Sequence, residues 1–533
     1  MLFTWTSLIV AVGIAWVVRA IYNIYFHPLS RYPGPKVAAL SNAWWEWYWN
    51  YYQNGRMIFE IERLHRKHGS VIRIGVNDLH VSDMHIYQDI NKVNTDFRKD
   101  AGFYQFISFP GTSIGETDTA KHRIRRKVLA PALSGTRIQE LAPIVERKTQ
   151  QLLARFDDSA RAPVCVTSAA KAFTMDIISR IVLGQELGCV ARSDYRSELS
   201  DNLQAAFSTG WIGPSFPTLS AMALWISRRV PVFLFPMPHV KFRKSCIGIT
   251  HAYLKRFDSS YSDRSVEPIK EYAASIKTSR GERSPVIDML MDPNLVPGHK
   301  LPTVEEIGDE LIMLLTAGSD TSSNAMISGI YFICRHGVVY KRLFDELKSA
   351  FPKLDQVITY EKAKELPYLV SKSIPQLTID WWTDSIALKT AVIRETLRLG
   401  HPLPGRLPRT VPEGGYSLHG GLVPPGVNIH TSAYILNRHP DIWEKPNDFD
   451  PTRWLGDDVA ALDKQSATFG RGARQCLGKD LAWCELWVLL ANLFRRFEVS
   501  LTPECDEKDM EWVDIILVHF TEKLYANLVK RRE

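Results

Sequence analysis

A single cysteine near the end of the chain stands in a glycine-rich loop, within the stretch FGRGARQCLG at Phe469–Gly478. A cysteine thiolate is a strong, soft metal ligand that must be kept deprotonated and shielded from water. The glycines let the backbone fold tightly and approach a planar cofactor, and Arg474 is placed to meet an acidic group on it. The helix-like stretch from Leu477 puts Cys476 at a helix N-terminus, which favours an anion. These residues predict a metal–thiolate centre; the alternative is a buried structural cysteine in a turn.

A second motif, AGSDTS at Ala317–Ser322, lies inside a long helical pattern that begins at Thr303. Gly318 costs about 1 kcal/mol of helix stability relative to alanine, and its small size leaves room for a flat cofactor and a diatomic ligand. The Thr321 hydroxyl can bond the carbonyl one turn back and loosen the helix. Asp320 completes an acid–alcohol pair able to relay protons into a dry pocket. Taken alone, the alternative is a solvated polar patch.

Four further short motifs carry charge: ETLR at Glu395–Arg398, FDPTRW at Phe449–Trp454, HRIRR at His122–Arg126 and RLPRTVP at Arg406–Pro412. ETLR puts a glutamate and an arginine on one helix face. Any surface helix can show that spacing, and the other arginines can simply be solvated. None of these motifs predicts a site by itself.

The cysteine loop resembles the haem-binding signature of the cytochrome P-450 superfamily, FxxGxRxCxG, at every defined position. The resemblance implies that Cys476 is the axial thiolate of a haem b. It implies that Phe469 packs near the sulfur and that Arg474 pairs with a haem propionate. AGSDTS resembles the oxygen-activation motif of the family, in which four residues lie beside the haem or relay protons: Ala317, Gly318, Asp320 and Thr321.

The same resemblance gives roles to the other charged motifs. It makes Glu395, Arg398 and Arg453 a buried ionic triad that holds the cysteine loop, an arrangement that contributes specificity more than net stability. The remaining propionate partners that it implies are Arg126, Arg409 and His122. The family commonly has tryptophan where His122 stands, so this chain departs from the pattern but keeps a ring N–H donor.

Helices must supply most of the framework for these motifs. Met57–His68 is amphipathic, and the segments Ile124–Leu153 and Thr303–Arg335 show long helical patterns. Val71–Ser82 alternates like a hairpin, and short strand-like pieces recur around Gly415–Ile429. We therefore predict a mainly α fold with a minor β region, and the resemblance implies the P-450 fold, with one catalytic domain over residues 37–533.

The first 26 residues predict a membrane anchor. No charged residue occurs before Arg19, and the apolar stretch is long enough to span a bilayer. The alternative, a cleaved signal peptide, lacks a basic start and a clear cleavage site. Arg19, Arg31 and Lys36 follow the span and place the body on the cytosolic side. A proline-rich hinge over residues 27–36 follows, and the resemblance favours the endoplasmic reticulum membrane. The short apolar stretch Val230–Pro238 is either a buried loop or a second membrane contact.

Charge and cysteine usage narrow the class of protein. The net charge of +7 comes from scattered residues, so the basic stripe of a nucleic-acid-binding protein is missing and no nucleic-acid partner is expected. The seven cysteines are widely spaced and without zinc spacing, which indicates free thiols in a reducing compartment.

Residues 370–389 interrupt the family pattern. Relatives usually run from LPYL directly into the helix that bears ETLR, whereas this chain inserts twenty residues with two tryptophans. Their codons can supply the donor, branch point and acceptor of a short intron. Our hypothesis is a retained intron in the gene model, and the rival is a surface loop. Sequencing of the spliced transcript decides between them.

The resemblance implies a haem-thiolate monooxygenase, and the stretches YPGPKVAAL and GRLPRTVP look like those of fungal secondary-metabolism members similar to trichodiene oxygenase. It would use O₂ and electrons from a separate NADPH–cytochrome reductase, with Arg471 and Lys479 as docking charges. The expected substrate is an apolar terpenoid or meroterpenoid, with polyketides and alkaloids next. The predicted pocket wall is apolar and aromatic: Phe97–Ile114, Leu203–Trp225, Ile312–Ala317, Leu403–Leu407 and the vicinity of Val518. The alternatives are a haem-thiolate isomerase or dehydratase, and a non-enzymatic haem-binding protein.

Overall fold

A computed structural model describes residues 2–107, 111–158, 162–207, 238–255, 285–363, 391–455, 459–505 and 507–532, together with six positions between 215 and 226. Its α-helices, in chain order, are α1 Leu2–Ile21, α2 Lys36–Leu40, α3 Asn42–Trp47, α4 Met57–His68, α5 Met84–Ile90, α6 Ala101–Ile107, α7 Thr119–Leu129, α8 Gly135–Asp158, α9 Val166–Leu183, α10 Glu198–Phe207, α11 Pro238–Lys255, α12 Val286–Leu290, α13 Val304–Arg335, α14 Gly337–Ala350, α15 Ala433–Leu436, α16 Val459–Gln465 and α17 Lys479–Arg496. Residues 391–400 are also helical and carry ETLR.

The strands are short: β1 Val71–Arg73, β2 Asp78–Val81, β3 Arg98–Lys99, β4 Val164–Cys165, β5 Arg406–Thr410, β6 Tyr416–Leu418, β7 Gly421–Val423, β8 Asn428–Ser432, β9 Phe497–Leu501, β10 Trp512–Ile515, β11 Leu517–Phe520 and β12 Tyr525–Lys530. The largest sheet has the order β1-β2-β8-β5-β3, in which only β2 and β8 are parallel, and a second has the order β4-β12-β9. The predicted mainly α fold with a minor β region is confirmed.

The central helix is α13, which runs for 32 residues through the main hydrophobic core. Thr303 caps it: its hydroxyl accepts a hydrogen bond from the Glu306 N–H, while the Glu306 carboxylate accepts from the Thr303 N–H. This reciprocal capping box satisfies two N–H groups at the helix start. The helix packs mainly against α9 and α11 and also contacts α17, so its AGSDTS turn is held on several sides.

One predicted helix is wrong. The pattern from Ile124 to Leu153 is not continuous, because α7 ends at Leu129 and a 3₁₀ turn over Ala130–Leu133 separates it from α8. Pro131 lies in that turn and has no N–H to continue the α-helical hydrogen bonds. The amphipathic helix Met57–His68 and the hairpin within Val71–Ser82 are confirmed.

The N-terminal helix forms as predicted in secondary structure. One stretch of the described chain, Trp5–Phe26, is long and apolar enough to cross a membrane, by length and composition. The hinge is fixed to the body, because the Arg73 N–H donates to the Pro33 carbonyl at 2.7 Å and a Cβ on Gly34 would clash with the Arg73 carbonyl. Membrane anchoring itself stays a prediction. Residues 230–237 and 370–389 lie outside the described part of the chain.

Candidate cofactor site

The cysteine loop has the tight backbone that its glycines predict. Gly470 and Gly472 have φ angles of +67° and +65°, in the left-handed region that favours glycine. A Cβ on Gly472 would collide with the Asn91 carbonyl, so a larger residue cannot enter here. The Cys476 N–H donates to the Phe469 carbonyl at 2.8 Å, which closes the loop just before α17 begins.

Cys476 is partly exposed and partly surrounded by protein. The residue has exposed surface, yet enough protein surrounds it for burial to raise the pKa of the thiol. The two observations agree if the exposed surface faces an internal space and not bulk water. The Gly478 N–H, Arg126 and Lys479 lower the pKa but do not outweigh burial. The groups at the start of α17 therefore favour the thiolate as predicted, but they are not enough to bring the pKa of Cys476 down to its ordinary value. A metal cation is the partner that favours the thiolate.

Beside the loop lies a cavity of about 320 Å³ with a strongly cationic lining. The lining includes Lys99, His122, Arg126, Arg409 and Arg474, and no aspartate or glutamate is among its described residues. The predicted propionate partners thus converge in space from three separate segments of the chain, and Lys99 adds a fourth segment. Such a cluster is suited to a group that brings at least two negative charges.

The protein compensates the cations of this cavity only in part, since Tyr104 and Glu116 raise the pKa of Arg474 by less than burial and Arg409 lower it. Burial and the neighbouring Arg409 lower the pKa of Arg474 to about 10, and burial together with Arg474 lowers that of His122 to about 3. Burial, Arg409 and Arg474 lower the pKa of Lys99 well below its ordinary value. Mutual repulsion of this kind is relieved when a dianion binds, so the residues fit a haem with two propionates.

Lys99 is a candidate propionate partner that the sequence did not reveal. It lies on β3 directly opposite Arg409 on β5, and its ammonium donates to the Ile114 carbonyl at 2.7 Å. The sequence offered only a lysine following an arginine, with nothing to distinguish it from a solvated side chain. The pairing of two strands more than three hundred residues apart brings it to the cavity.

A Lys99→Met variant is expected to lose haem to an acceptor apoprotein about 10- to 100-fold faster than the unmodified protein. The reason is that a partly buried cation that lines the cavity is removed while side-chain bulk is kept. The matched control is Lys92→Met, because Lys92 lines the same cavity but is exposed and paired with Asp89 at 2.9 Å. Equal haem loss in both variants would contradict a role for Lys99.

The predicted ionic triad forms. Arg398 donates to both oxygens of Glu395 at 2.7 and 2.8 Å, and Arg453 donates to Glu395 at 2.9 Å. Glu395 and Arg398 are completely buried (0% exposed). The Trp454 indole N–H also donates to Glu395 at 2.8 Å, so Trp454 is a fourth member that spacing alone did not identify.

Asn437 connects this triad to the cysteine loop. Arg398 donates to the Asn437 carbonyl at 2.8 Å, and the Asn437 side chain donates to the Thr468 hydroxyl and accepts from the Ala467 N–H. Thr468 in turn donates to the Leu397 carbonyl at 3.2 Å. The buried charges are therefore linked by hydrogen bonds to the residues immediately before Phe469. No sequence pattern singled out Asn437 or Thr468.

On α13, the Thr321 hydroxyl donates to the Ala317 carbonyl at 2.6 Å, the bond that the motif predicts. Asp320 is next to it, and burial raises the pKa of its carboxyl, partly offset by Lys171 and His519. The AGSDTS turn thus contains a hydrogen bond from the Thr321 hydroxyl to the Ala317 carbonyl. It also contains an acid, Asp320, that keeps its proton to a higher pH than usual. These are the parts that a proton relay requires.

The reason given for Gly318 needs correction. A Cβ on this residue would lie 2.5 Å from Ile178, so the space beside Gly318 is already filled by α9. The glycine is required for the close approach of α9 and α13, and its missing side chain does not clear room for a flat cofactor. The haem-facing role of Ala317 stays a prediction.

Three comparisons relate the chain to known proteins. The family model described as Cytochrome P450 matches residues 39–371 and 383–525, a match interrupted inside the 370–389 segment, for which a retained intron remains our proposal. The chain is 53% identical over 467 residues to cytochrome P450 monooxygenase sol6 of Alternaria solani, which covers 87% of this chain and 93% of that protein.

Two further matches agree. The chain is 30% identical over 532 residues to cytochrome P450 monooxygenase macH of Penicillium terrestre, covering 97% of this chain and 95% of that protein. Among solved structures, the crystal structure of cytochrome P450DA heme domain superposes with a TM-score of 0.69 over 91% of this chain and 95% of that chain. At 15% identity, this last similarity shows a shared fold alone.

Proposed function

This chain belongs to the cytochrome P450 family and is similar to fungal P450 monooxygenases, and from that premise we propose that it oxidises an apolar secondary metabolite at a haem held by Cys476. The observation that carries the proposal is a cysteine with exposed surface in the same loop whose Arg474 lines a cationic cavity. A thiolate ligand and two propionate sites are what a haem-thiolate centre requires.

The residues of the candidate site have separate proposed roles. Cys476 would hold the iron, and Arg126, Arg409, Arg474, Lys99 and His122 would bind the propionates. Bound haem supplies the activation of O₂ for insertion of one oxygen atom into a substrate C–H bond. Asp320 and Thr321 would hold protons beside the site, since burial raises the pKa of the Asp320 carboxyl and the Thr321 hydroxyl is bonded to the Ala317 carbonyl.

Electrons would come from a separate NADPH–cytochrome reductase. Arg471 lines the cationic cavity and Lys479 begins α17, so both docking charges proposed from the sequence lie beside the cysteine loop. Lys92, Arg123 and Lys127 extend the same basic surface around the cavity. A surface of this sign favours an acidic partner and steers its approach. We further propose that α1 anchors the protein in the endoplasmic reticulum membrane.

The described part of the predicted pocket wall is apolar, which favours an apolar substrate. Phe103 and Tyr104 pack with Ile516, Leu403 and Leu407 in one hydrophobic cluster. Aromatic and aliphatic walls of this kind bind apolar ligands and leave orientation to a few polar groups. We propose a terpenoid or meroterpenoid skeleton, with a polyketide as the competing outcome of the test.

The test is product formation by the full chain with a reductase, NADPH and O₂, using metabolites that accumulate when this gene is deleted. We expect an oxygenated product that depends on both NADPH and O₂. Product formed without NADPH would instead indicate an isomerase or dehydratase. Haem binding with no turnover of any accumulating metabolite would indicate a non-enzymatic haem-binding protein.

A Thr321→Ala variant is expected to consume NADPH but release more of the reducing equivalents as hydrogen peroxide, with product per NADPH falling roughly tenfold or more. The cause is loss of the hydroxyl bonded to the Ala317 carbonyl beside Asp320. The matched control is Ser323→Ala, since Ser323 also donates to a carbonyl one turn back, that of Asp320, at 3.1 Å. Similar peroxide release from both variants would count against a specific role for Thr321.

A further inference from the structure

The contact between α13 and α17 contains a carboxyl group that the chemistry above does not use. Glu485 lies on α17, the helix that begins three residues after Cys476, and its side chain is completely buried (0% exposed). Neither of its carboxyl oxygens makes a hydrogen bond with a group in the described part of the chain. Buried polar groups are almost always hydrogen-bonded, so this exception calls for an explanation.

Ser322 on α13 faces this carboxyl and directly follows Thr321 in the chain. Its hydroxyl slightly lowers the pKa of Glu485, although the two side chains do not reach normal hydrogen-bond geometry. Burial dominates and raises the pKa of Glu485 to about 8. Two further hydroxyls of α13, on Thr316 and Ser319, are buried without a partner among the described residues, so this side of the helix is polar.

The groups around Glu485 do not offset a negative charge. The pKa of its neighbour Cys484 is raised by burial, by Glu485 and by Glu146 of α8. Helices α8 and α17 therefore both place acidic groups here. No lysine, arginine or histidine of the described chain contributes to the pKa of the Glu485 carboxyl.

We propose that Glu485, held as a neutral carboxylic acid, is a positioning residue that keeps the Asp320–Thr321 turn of α13 in register with the start of α17. Loss of its proton would place an unpaired charge between two packed helices, which would have to separate or admit water. Because α17 follows Cys476 and Ser322 follows Thr321, that separation would shift the proton relay relative to the metal ligand. This inference rests on the proposed function.

Thermal unfolding of the full chain tests the protonation without any turnover. A carboxyl whose pKa is higher in the folded than in the unfolded protein destabilises the fold progressively as pH rises between the two values, here from about 4.5 to about 8. Glu485→Gln keeps the shape but cannot ionise. We expect its melting temperature to exceed that of the unmodified protein by a margin that widens as pH rises toward about 8. If the difference in melting temperature between Glu485→Gln and the unmodified protein does not change with pH, the proposal is overturned.

Coupling of NADPH use to product formation tests the positioning. Above about pH 8, the unmodified protein should lose roughly tenfold in product per NADPH relative to neutral pH, while Glu485→Gln keeps its neutral-pH value. Glu485→Leu also cannot ionise, so its coupling should not change with pH. The matched control is Glu498→Gln on β9, which should follow the unmodified protein at every pH.

Two outcomes separate this inference from the proposed function. If Glu485→Gln loses coupling already at neutral pH, Glu485 supplies protons and does not act by position, and the proposal is overturned. If no substrate is oxidised at all, the proposed function fails, but the pH dependence of the melting temperature still decides whether Glu485 is held neutral in the fold.

Discussion

A Cys476→Ser variant is expected to lose the Soret band of a thiolate-ligated haem in its reduced carbon monoxide spectrum, and with it more than about 100-fold in product formation. The hydroxyl of serine is a poor ligand at neutral pH, whereas the loop around Cys476 is shaped to present a sulfur. Its tight glycine backbone and the bond from the Cys476 N–H to the Phe469 carbonyl remain in the variant. The change therefore tests the ligand and not the loop.

The control for this prediction is another free cysteine. Cys334→Ser changes the same atom near the end of α13, where the thiol faces the Val499 carbonyl at 3.6 Å, and should keep both the spectrum and the activity. Melting temperatures of the two variants show whether either is misfolded. A folded Cys476→Ser protein that oxidises the substrate at the unmodified rate would remove the basis for a haem-thiolate enzyme.

Arg398→Ala is expected to lower the free energy of unfolding by about 3–5 kcal/mol and to prevent stable haem incorporation. Removal of the guanidinium leaves the Glu395 carboxylate completely buried with only part of its former hydrogen bonding. It also leaves the carbonyls of Asn437, Pro446 and Asp448 without their donor. Chemical denaturation and the haem-to-protein ratio measure the two effects.

If Arg398→Ala fails to fold, a less disruptive variant keeps the prediction testable. Asn437→Ala leaves the ion pairs intact but cuts the link to Thr468 and Ala467. It should weaken haem retention with a smaller loss of stability. Lys341→Ala, which breaks an exposed ion pair with Asp345 on α14, should change neither quantity appreciably. Normal haem content in Asn437→Ala would show that the triad does not act on the loop.

Several features of the candidate site follow from short-range rules. ETLR forms its ion pair because residues three apart share a helix face, and Thr321 reaches the Ala317 carbonyl because residues four apart are stacked. Thr303 caps α13 because the threonine and Glu306 have capping-box spacing. Such contacts depend on a few consecutive residues, so a single sequence is enough to predict them.

Where local signals compete, sequence reasoning is less secure. The helical periodicity of Ile124–Leu153 is real, but Pro131 stops the hydrogen bonding and divides the pattern into α7 and α8. The sequence suggests that Gly318 leaves room for a cofactor, whereas in the structure the space beside Gly318 is filled by Ile178 of α9. A glycine in a helix indicates a close approach, but only the packing shows what approaches.

By itself, the sequence determined the cysteine loop, the order of the charged motifs and the long helix that carries Asp320 and Thr321, because backbone geometry and spacing along the chain fix them. Only the tertiary structure decided that Lys99 meets Arg409, that Asn437 joins the triad to the loop, and that Glu485 is buried against α13. These contacts join segments far apart in the chain, for which no local spacing exists. Their geometry is set by how helices and strands bury apolar surface together.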